Sequence, residues 1–531
     1  IAIGSSAFSL DQEAIAIGHL SNAYSLYSIA MGTNSISGNT NSIAIGHNSR
    51  GQDQSTIAIG LNSNAYSTSS IAIGTTSISS NINSIAIGPS SISSDREAIA
   101  IGFFSNASGQ TSTAIGYSSK SANINSIAMG VNANSYNQFA IAIGSSTVST
   151  GDHAISVGSF SVATDQSAIA IGQSAVAQNT YAVGLGFTSN AYSTSSIAIG
   201  TSAKANTQAI AVGFNANSAG SDSISMGSMS QSANNNSIAI GFNALSLNSE
   251  AIGIGYLSNA YSQSTIAIGR NTIADNLNAI AVGPLAAAKN VQAIGIGFSS
   301  NAYSTSSIAI GTSSISSNIN SIAIGPSSIS SDQSAIAIGT SANSYSQDSI
   351  AMGTNSISSN TNSISIGTNP ISSGTNSIAT GFNSISSNSD SIAIGTSSTA
   401  SNTSAIAMGL SSMANAINAI AIGTSTIAQN NNAVGIGTTS NAYSTSAIAI
   451  GSNTATSCNF GIAIGDNAKS INSSIFSAHA IAIGTQSQST QFSTVAIGNM
   501  ANAVAGSAIA IGNMTNAVAG SAIAMGTTAN A

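Results

Sequence analysis

The segment TTSISSNINSIAIG, residues 75–88, contains the pattern that decides the fold. Its last four residues, Ile-Ala-Ile-Gly, recur in closely similar form along all 531 residues. The final glycine of each copy, called the marker glycine here, returns every 14 residues from Gly4 to Gly526, with one step of 13 residues (201–213) and one of 19 residues (466–484). A fixed period of this kind is typical of a solenoid. We therefore predict one continuous solenoid over residues 1–531, with about 38 coils.

Each repeat predicts two short strands and two turns, and positions in a coil are counted from the marker glycine, c0, to c13. Ser84–Ile87 alternates around β-branched isoleucine and is predicted to be one strand, and Ser77–Ser79 is predicted to be the second. The marker glycine makes one turn, and residues at c7 that tolerate a left-handed backbone are predicted to make the other. These c7 residues include Asn39, Asp53, Asn81, Asp95, Gly109, Asn123, Gly151 and Asp165.

The columns of the repeat predict how the coils pack, because residues two apart in a strand share a face. The c11 column is Ile or Val except at Thr113, and the c13 column is Ile, Met, Val or Leu except at Thr380. We expect both columns to form apolar ladders inside the roll. The c12 residue between them is always Ala, Ser or Gly, as at Ala44, Ala86 and Ala323. Such strict smallness on the opposite face predicts close packing of another chain against the c12 column.

Composition limits the partners of the chain. Hydrophobic residues make up 42%, which argues against disorder, while charged residues make up only 4%. Seven Lys and Arg are too few for the basic surface that nucleic acid requires. No apolar run approaches the ~20 residues of a membrane span, so we expect no membrane insertion by this segment. The single cysteine, Cys458, excludes an internal disulfide framework, and we expect a free thiol rather than a crosslink between neighbouring chains.

Three strings carry a resemblance to a known family: NSIAIGPSS at residues 83–91, and NSIAIG at 41–46 and at 320–325. They resemble the head repeats of the YadA-like trimeric autotransporter adhesins, as do the 14-residue spacing and the small residues at c3 and c5. The resemblance implies an all-β, left-handed parallel β-roll, three chains side by side, and adhesion to host matrix or other cells. It also implies an extracellular or cell-surface location, attached to the outer membrane if an anchor lies outside this segment.

Residues with catalytic or metal-binding chemistry are sparse. The closest histidines, His19 and His47, lie two coils apart, which is roughly 10 Å and too far for one metal ion. Acidic and basic side chains do not converge on one face as an active site would require. The sequence therefore predicts no enzyme activity, no cofactor and no metal site.

Tyrosine is the most notable candidate for partner contact. The tetrapeptide Asn-Ala-Tyr-Ser recurs with its tyrosine at c6, at Tyr24, Tyr66, Tyr192, Tyr261, Tyr303 and Tyr443. Exposed rings at one turn would make contact points for a protein or a glycan, or each ring covers its own turn and packs on a neighbour. The 19-residue step predicts a loop around residues 472–477 with Phe476 on it, more readily a tolerated insertion than a binding site.

Three functional classes remain open on this pattern. The first is an adhesin head or surface-fibre module that acts through many weak, repeated contacts. The second is a purely structural extracellular filament, sheath or viral fibre. The third is an ice-binding solenoid, which is disfavoured because no Thr-x-Thr ladder persists over many coils.

Overall fold

The computed structural model describes residues 1–471 and 479–531, so the predicted loop around residues 472–477, with Phe476, lies outside the described residues. The described residues form short β-strands and turns and include no helix. They divide into two compact units, Ile1–Ser264 and Thr265–Ala531. Within each unit the strands pair in parallel from coil to coil, which confirms the prediction of an all-β parallel solenoid.

Each coil contributes one strand to each of two sheets. The strands of sheet 1 occupy c11–c13, directly before the marker glycine, as in Ile85–Ile87. The strands of sheet 2 occupy c4–c5, as in Ile78–Ser79, so both begin one residue later than predicted. The described residues contain 75 strands, and their bounds follow from these two sets of coil positions. The first strand is shortened to Ala2–Ile3, and the last is Ile523–Met525.

The register places equivalent residues of successive coils side by side. In sheet 1, for example, Ala72 pairs with Ala86, and in sheet 2 Ser79 pairs with Ser93. The two irregular steps keep this register, because Ile197 pairs with Ile210 across the 13-residue step and Ile462 pairs with Ile481 across the 19-residue step. The missing and additional residues are therefore accommodated between strands.

Among the described residues, the core consists of small side chains only. Four columns point inward, c3 and c5 on one side and c10 and c12 on the other, and Ser77, Ser79, Ser84 and Ala86 are all fully buried. The largest side chains that are fully buried are threonines, such as Thr147, with Pro370 next. The prediction that the c11 and c13 ladders lie inside the roll was therefore wrong, because these isoleucines point outward from sheet 1.

The two sheets lie too close together for anything larger. The Ser79 hydroxyl donates to the Ser84 carbonyl across the coil at 2.8 Å, and the two serine Oγ atoms are 2.6 Å apart. At c12, a Cβ added to Gly295 would lie 2.6 Å from the Ala287 carbonyl oxygen. A c12 side chain beyond alanine or serine size therefore meets the backbone of the opposite strand, which explains the strict smallness of this column.

The marker glycine is required by backbone geometry. Gly88 has a φ of 127°, a backbone conformation that residues with a side chain rarely adopt. In addition, a Cβ at this position would lie 2.5 Å from the Gly102 carbonyl oxygen of the next coil. The other left-handed residues lie at c2 and c9, as in Thr76 (φ 56°) and Asn83 (φ 57°), and at c8 in the 13-residue coil, where Gln208 has a φ of 52°.

The prediction of a left-handed backbone at c7 was wrong. The residues concerned, Asn39, Asp53, Asn81, Asp95, Gly109, Asn123, Gly151 and Asp165, have no positive φ. Instead the c7 side chain accepts a hydrogen bond from the following backbone amide, as Asn81 Oδ1 does from the Ile82 N–H at 2.8 Å. An acceptor on a short side chain explains the preference for Asn and Asp, while the left-handed residue follows two positions later.

Candidate functional site

The outward surface of sheet 1, formed by the c11 and c13 columns, is called the isoleucine face. Its c11 side chains are half-buried in the single chain, as at Ile85, and many c13 side chains are exposed, such as Ile143 (37%) and Met226 (41%). Neither column contains a charged residue at any coil. The outward c4 column of sheet 2, in contrast, includes Arg50 and Lys120. Sequence reasoning missed this face because it placed the isoleucines inside.

The alanines assigned to contacts between chains do not make them. Ala44, Ala86 and Ala323 have exposed fractions of 0% within the single chain, since their side chains fill the interior of their own coils. The backbone that approaches the c12 column belongs to sheet 2 of the same chain. The assignment was wrong because a coil can supply that close neighbour itself.

The six tyrosines named above stand on separate coils and do not form a cluster. Tyr24, Tyr66, Tyr192, Tyr303 and Tyr443 have exposed fractions of 36–39%. Tyr261 is half-buried. Two of the six have ring contacts: Tyr24 is tilted against Phe8 at 6.0 Å between centroids, and the Lys289 ammonium lies 4.9 Å from the Tyr303 centroid. Their role in binding a partner stays a prediction.

Aromatic side chains also stack along the marker-glycine turn, where the sequence had not singled them out. Phe103 and Tyr117 occupy c1 in successive coils with centroids 5.5 Å apart and planes inclined by 18°. Phe242 and Tyr256 repeat this arrangement at 5.3 Å. The sequence could have indicated these stacks, because aromatic residues occur at c1 in two successive coils and the register places equivalent positions side by side.

Two of the four histidines stack on aromatic side chains. His153 stacks on Phe139 at 4.8 Å, and His479 stacks on Phe460 at 5.3 Å, so both rings pack on the preceding coil. Within residues 1–471 and 479–531, no group of three His, Cys, Asp or Glu residues is placed to hold a metal ion. Burial raises the pKa of Asp275 above its ordinary value, and the Lys289 ammonium opposes this effect.

Cys458 gives a direct test of how the turn packs. Its side chain is 3% exposed, and its sulfur lies 3.0 Å from Ser470 Oγ. We expect the native thiol to react with Ellman's reagent at least about tenfold more slowly than in the guanidinium-denatured chain, because a buried thiol is inert. Rapid reaction of the native chain would show that this turn is open. The burial also leaves no accessible thiol for a crosslink between chains.

Comparisons with known proteins identify the repeat. The profile described as YadA head domain repeat (2 copies) matches segments that together cover well over half of the chain. The matched residues are 11–35, 23–49, 54–77, 79–105, 107–133, 123–147, 135–161, 149–175, 177–203, 191–216, 205–228, 218–244, 249–272, 260–286, 288–314, 316–342, 346–369, 372–398, 400–426, 428–454 and 477–499. Comparison with individual curated proteins gives no match. In the part of the chain that the structure describes, no helix is long and apolar enough to cross a membrane.

Proposed function

Since the chain belongs to the YadA head repeat family, we propose that it is the head-type segment of a cell-surface adhesin and acts as a homotrimer. The family consists of adhesin-type structural repeats that are surface-exposed, and it is not a family of enzymes. Adhesion to matrix or to other cells, the extracellular location and the trimer are parts of the proposal.

The isoleucine face is the observation that carries the proposal. A soluble protein rarely exposes a long continuous apolar surface unless another molecule covers it. Here two apolar columns run along sheet 1 of each unit and no coil interrupts either with a charge. Over so many repeats, a solvent-exposed column acquires charged residues. The c4 column does so, at Arg50, Lys120, Lys204 and Lys469.

A second and a third copy of the same chain fit this face best. The isoleucine face repeats with the period of the coil, so only a partner with the same period can match it along its length. Three copies with isoleucine faces turned toward a common axis would cover the c11 and c13 columns of every copy. Sheet 2 and the c6–c9 turn would then remain available to other molecules.

The remaining surface suits adhesion through many equivalent contacts. It is rich in Ser, Asn and Thr, and it repeats the same backbone geometry in every coil. Weak contacts that repeat along a rigid scaffold, and again on three chains, add up to strong attachment by avidity. With seven Lys and Arg, the surface has little to offer a strongly anionic partner.

The test combines native mass with attachment. Light scattering after size exclusion is expected to give three times the chain mass of 51.9 kDa. The same material, immobilised on beads, is expected to bind matrix-coated surfaces or cells saturably, with soluble chain as the competitor. A monomer would overturn the trimer. A trimer that attaches to neither surface, or an open-ended polymer, would overturn adhesion and favour the structural filament.

A further inference from the structure

All eight tyrosines at c6 are preceded, two residues earlier, by an asparagine at c4. The pairs are Asn22 with Tyr24, Asn64 with Tyr66, Asn134 with Tyr136, Asn190 with Tyr192, Asn259 with Tyr261, Asn301 with Tyr303, Asn343 with Tyr345, and Asn441 with Tyr443. The coil itself requires neither residue, since c4 is also Ile, Val or Lys and c6 is also Gly, Ser or Gln. The residue between them is alanine in six pairs and serine in two, so the pair persists while its middle residue changes. We call this arrangement the Asn-Tyr pair.

In four of the eight pairs the coil holds the asparagine side chain, at Asn64, Asn134, Asn301 and Asn343. The Asn64 side-chain amide donates to the Asn62 carbonyl at 3.0 Å, and Asn301 donates to the Ser299 carbonyl at the same distance. The serine after the ring is also held: the Ser67 hydroxyl donates to the Ser80 carbonyl of the next coil at 2.9 Å.

The tyrosine phenol group and, in two pairs, the asparagine Oδ1 have no hydrogen-bond partner in the part of the chain that the structure describes. The phenol groups of Tyr66, Tyr192 and Tyr443 form no hydrogen bond within the described residues. Asn343 Oδ1 and Asn441 Oδ1 are buried acceptors without a hydrogen-bond partner there, as is Asn106 Oδ1 at c4 of a coil without a c6 tyrosine.

The lysine contacts of the c6 rings come from the preceding coil. The Lys289 ammonium lies 4.9 Å from the Tyr303 centroid, and the Lys120 ammonium lies 5.2 Å from the Tyr136 centroid. Both lysines belong to the preceding coil, so that coil meets one face of the ring. The opposite face is adjacent to the c6 residue of the following coil, which is short. Within each unit these residues are Gly38, Ser80, Thr150, Asn206, Ser317, Ser359 and Ser457.

An exposed ring, a phenol group and an amide match the chemistry of a sugar, and a lysine meets the ring in two of the eight pairs. A pyranose presents C–H groups on one face, which pack on an aromatic ring, and hydroxyls at its rim, which bond to phenol and amide groups. We propose that each Asn-Tyr pair binds one sugar of an uncharged polysaccharide or glycan chain. The inference rests on the proposed adhesin function and names the class of its partner.

The spacing of the pairs suits a long ligand. Tyr24 and Tyr66 are 42 residues apart, as are Tyr303 and Tyr345, which is three coils in each case. At about 4.8 Å per coil, the separation is roughly 14 Å along the solenoid. One polysaccharide chain can therefore reach successive pairs, and each additional contact raises the avidity.

The experiment uses the intact chain with three soluble neutral polysaccharides: a β-glucan, a galactan and a mannan. Binding is measured by titration calorimetry and by tyrosine fluorescence, since the chain has 12 Tyr and no Trp. Replacing the six tyrosines of the Asn-Ala-Tyr-Ser motifs by alanine is expected to weaken binding at least about tenfold. The matched control is alanine at Tyr117 and Tyr181, which are exposed, lie outside c6 and stand on coils without an asparagine at c4. It is expected to change binding by less than about twofold.

The outcomes separate this inference from the proposed function. If none of the three polysaccharides binds, or if the control variant loses as much affinity as the motif variant, the inference is overturned. A carboxymethylated polysaccharide and a proline-rich peptide are titrated in parallel, and binding confined to either of them also overturns it. In each of these cases a trimer that still attaches to matrix or cells leaves the adhesin function in place. Folding of the variants is expected to be unchanged, because c6 already accepts Gly38 and Ser80.

Discussion

Lysine in place of Ile71 and Ile85 is expected to convert the proposed trimer into monomers. Both residues lie at c11 of the isoleucine face in neighbouring coils. Three chains would bring six ammonium groups to one axis, where each loses its water and meets only like charges. We expect the mass from light scattering to fall from three chains to one, 51.9 kDa. Because these side chains point away from the core of the coil, the strand content by circular dichroism should stay the same.

The matched control places the same two charges on sheet 2, as Ile78→Lys and Ile92→Lys. These residues also pair in neighbouring coils and are also half-buried. Lysine already occupies this column at Lys120, Lys204 and Lys469, so the coil tolerates it. The control variant is expected to remain a trimer. If instead the sheet 2 variant dissociates and the sheet 1 variant does not, the chains associate through the other face.

Leucine at Ala86 is expected to open the coils around it. The Ala86 side chain is fully buried between sheets that lie close enough for Ser79 and Ser84 to hydrogen-bond. Three additional carbon atoms must separate the sheets, and we expect a local cost of about 3 kcal/mol, the upper end of the overpacking range. A repeat protein unfolds locally, so hydrogen exchange is the appropriate measurement. Amide protection should be lost in the coil of Ala86 and its two neighbours and retained in distant coils.

Ile85→Leu serves as the control for this substitution. It changes a neighbouring side chain to leucine on the outward face, where no strand opposes it within the chain. We expect amide protection within about 0.5 kcal/mol of the parent, since no cavity and no overpacking result. Equal protection in the Ala86→Leu and Ile85→Leu variants would show that the core has room for a large side chain.

Much of this fold could be predicted from the repeat. The 14-residue period, the two strands of each coil and the glycine turn follow from residues such as those at 75–88. The alternation of Ile85, Ala86 and Ile87 also shows correctly that the isoleucines share one face and the alanine lies on the other. Alternation alone does not say which face is inside. The usual preference for large apolar residues in a core then gave the wrong answer.

The separation between the two sheets decides which face of a strand is inside. This separation can be inferred only when the columns of both strands are considered together. All four of c3, c5, c10 and c12 are small, which is consistent only with a flat coil whose strands nearly touch. A comparison of the two strands would therefore have predicted that the small columns point inward. The sequence indicated only the tyrosine of the Asn-Tyr pair, because a large residue at c6 is conspicuous in the repeat. The asparagine was missed because its contribution depends on a hydrogen bond to its own coil, as at Asn64.

The small-residue core has a thermodynamic consequence. Burial of alanine and serine removes little apolar area from water per residue, so unfolding of an isolated chain should show a low heat-capacity change for its length. The large apolar side chains are only half-buried in the single chain, so they contribute their full heat capacity only when chains associate. The temperature at which the protein melts should therefore rise with protein concentration, and cooling should weaken association before it weakens the hydrogen-bonded coil.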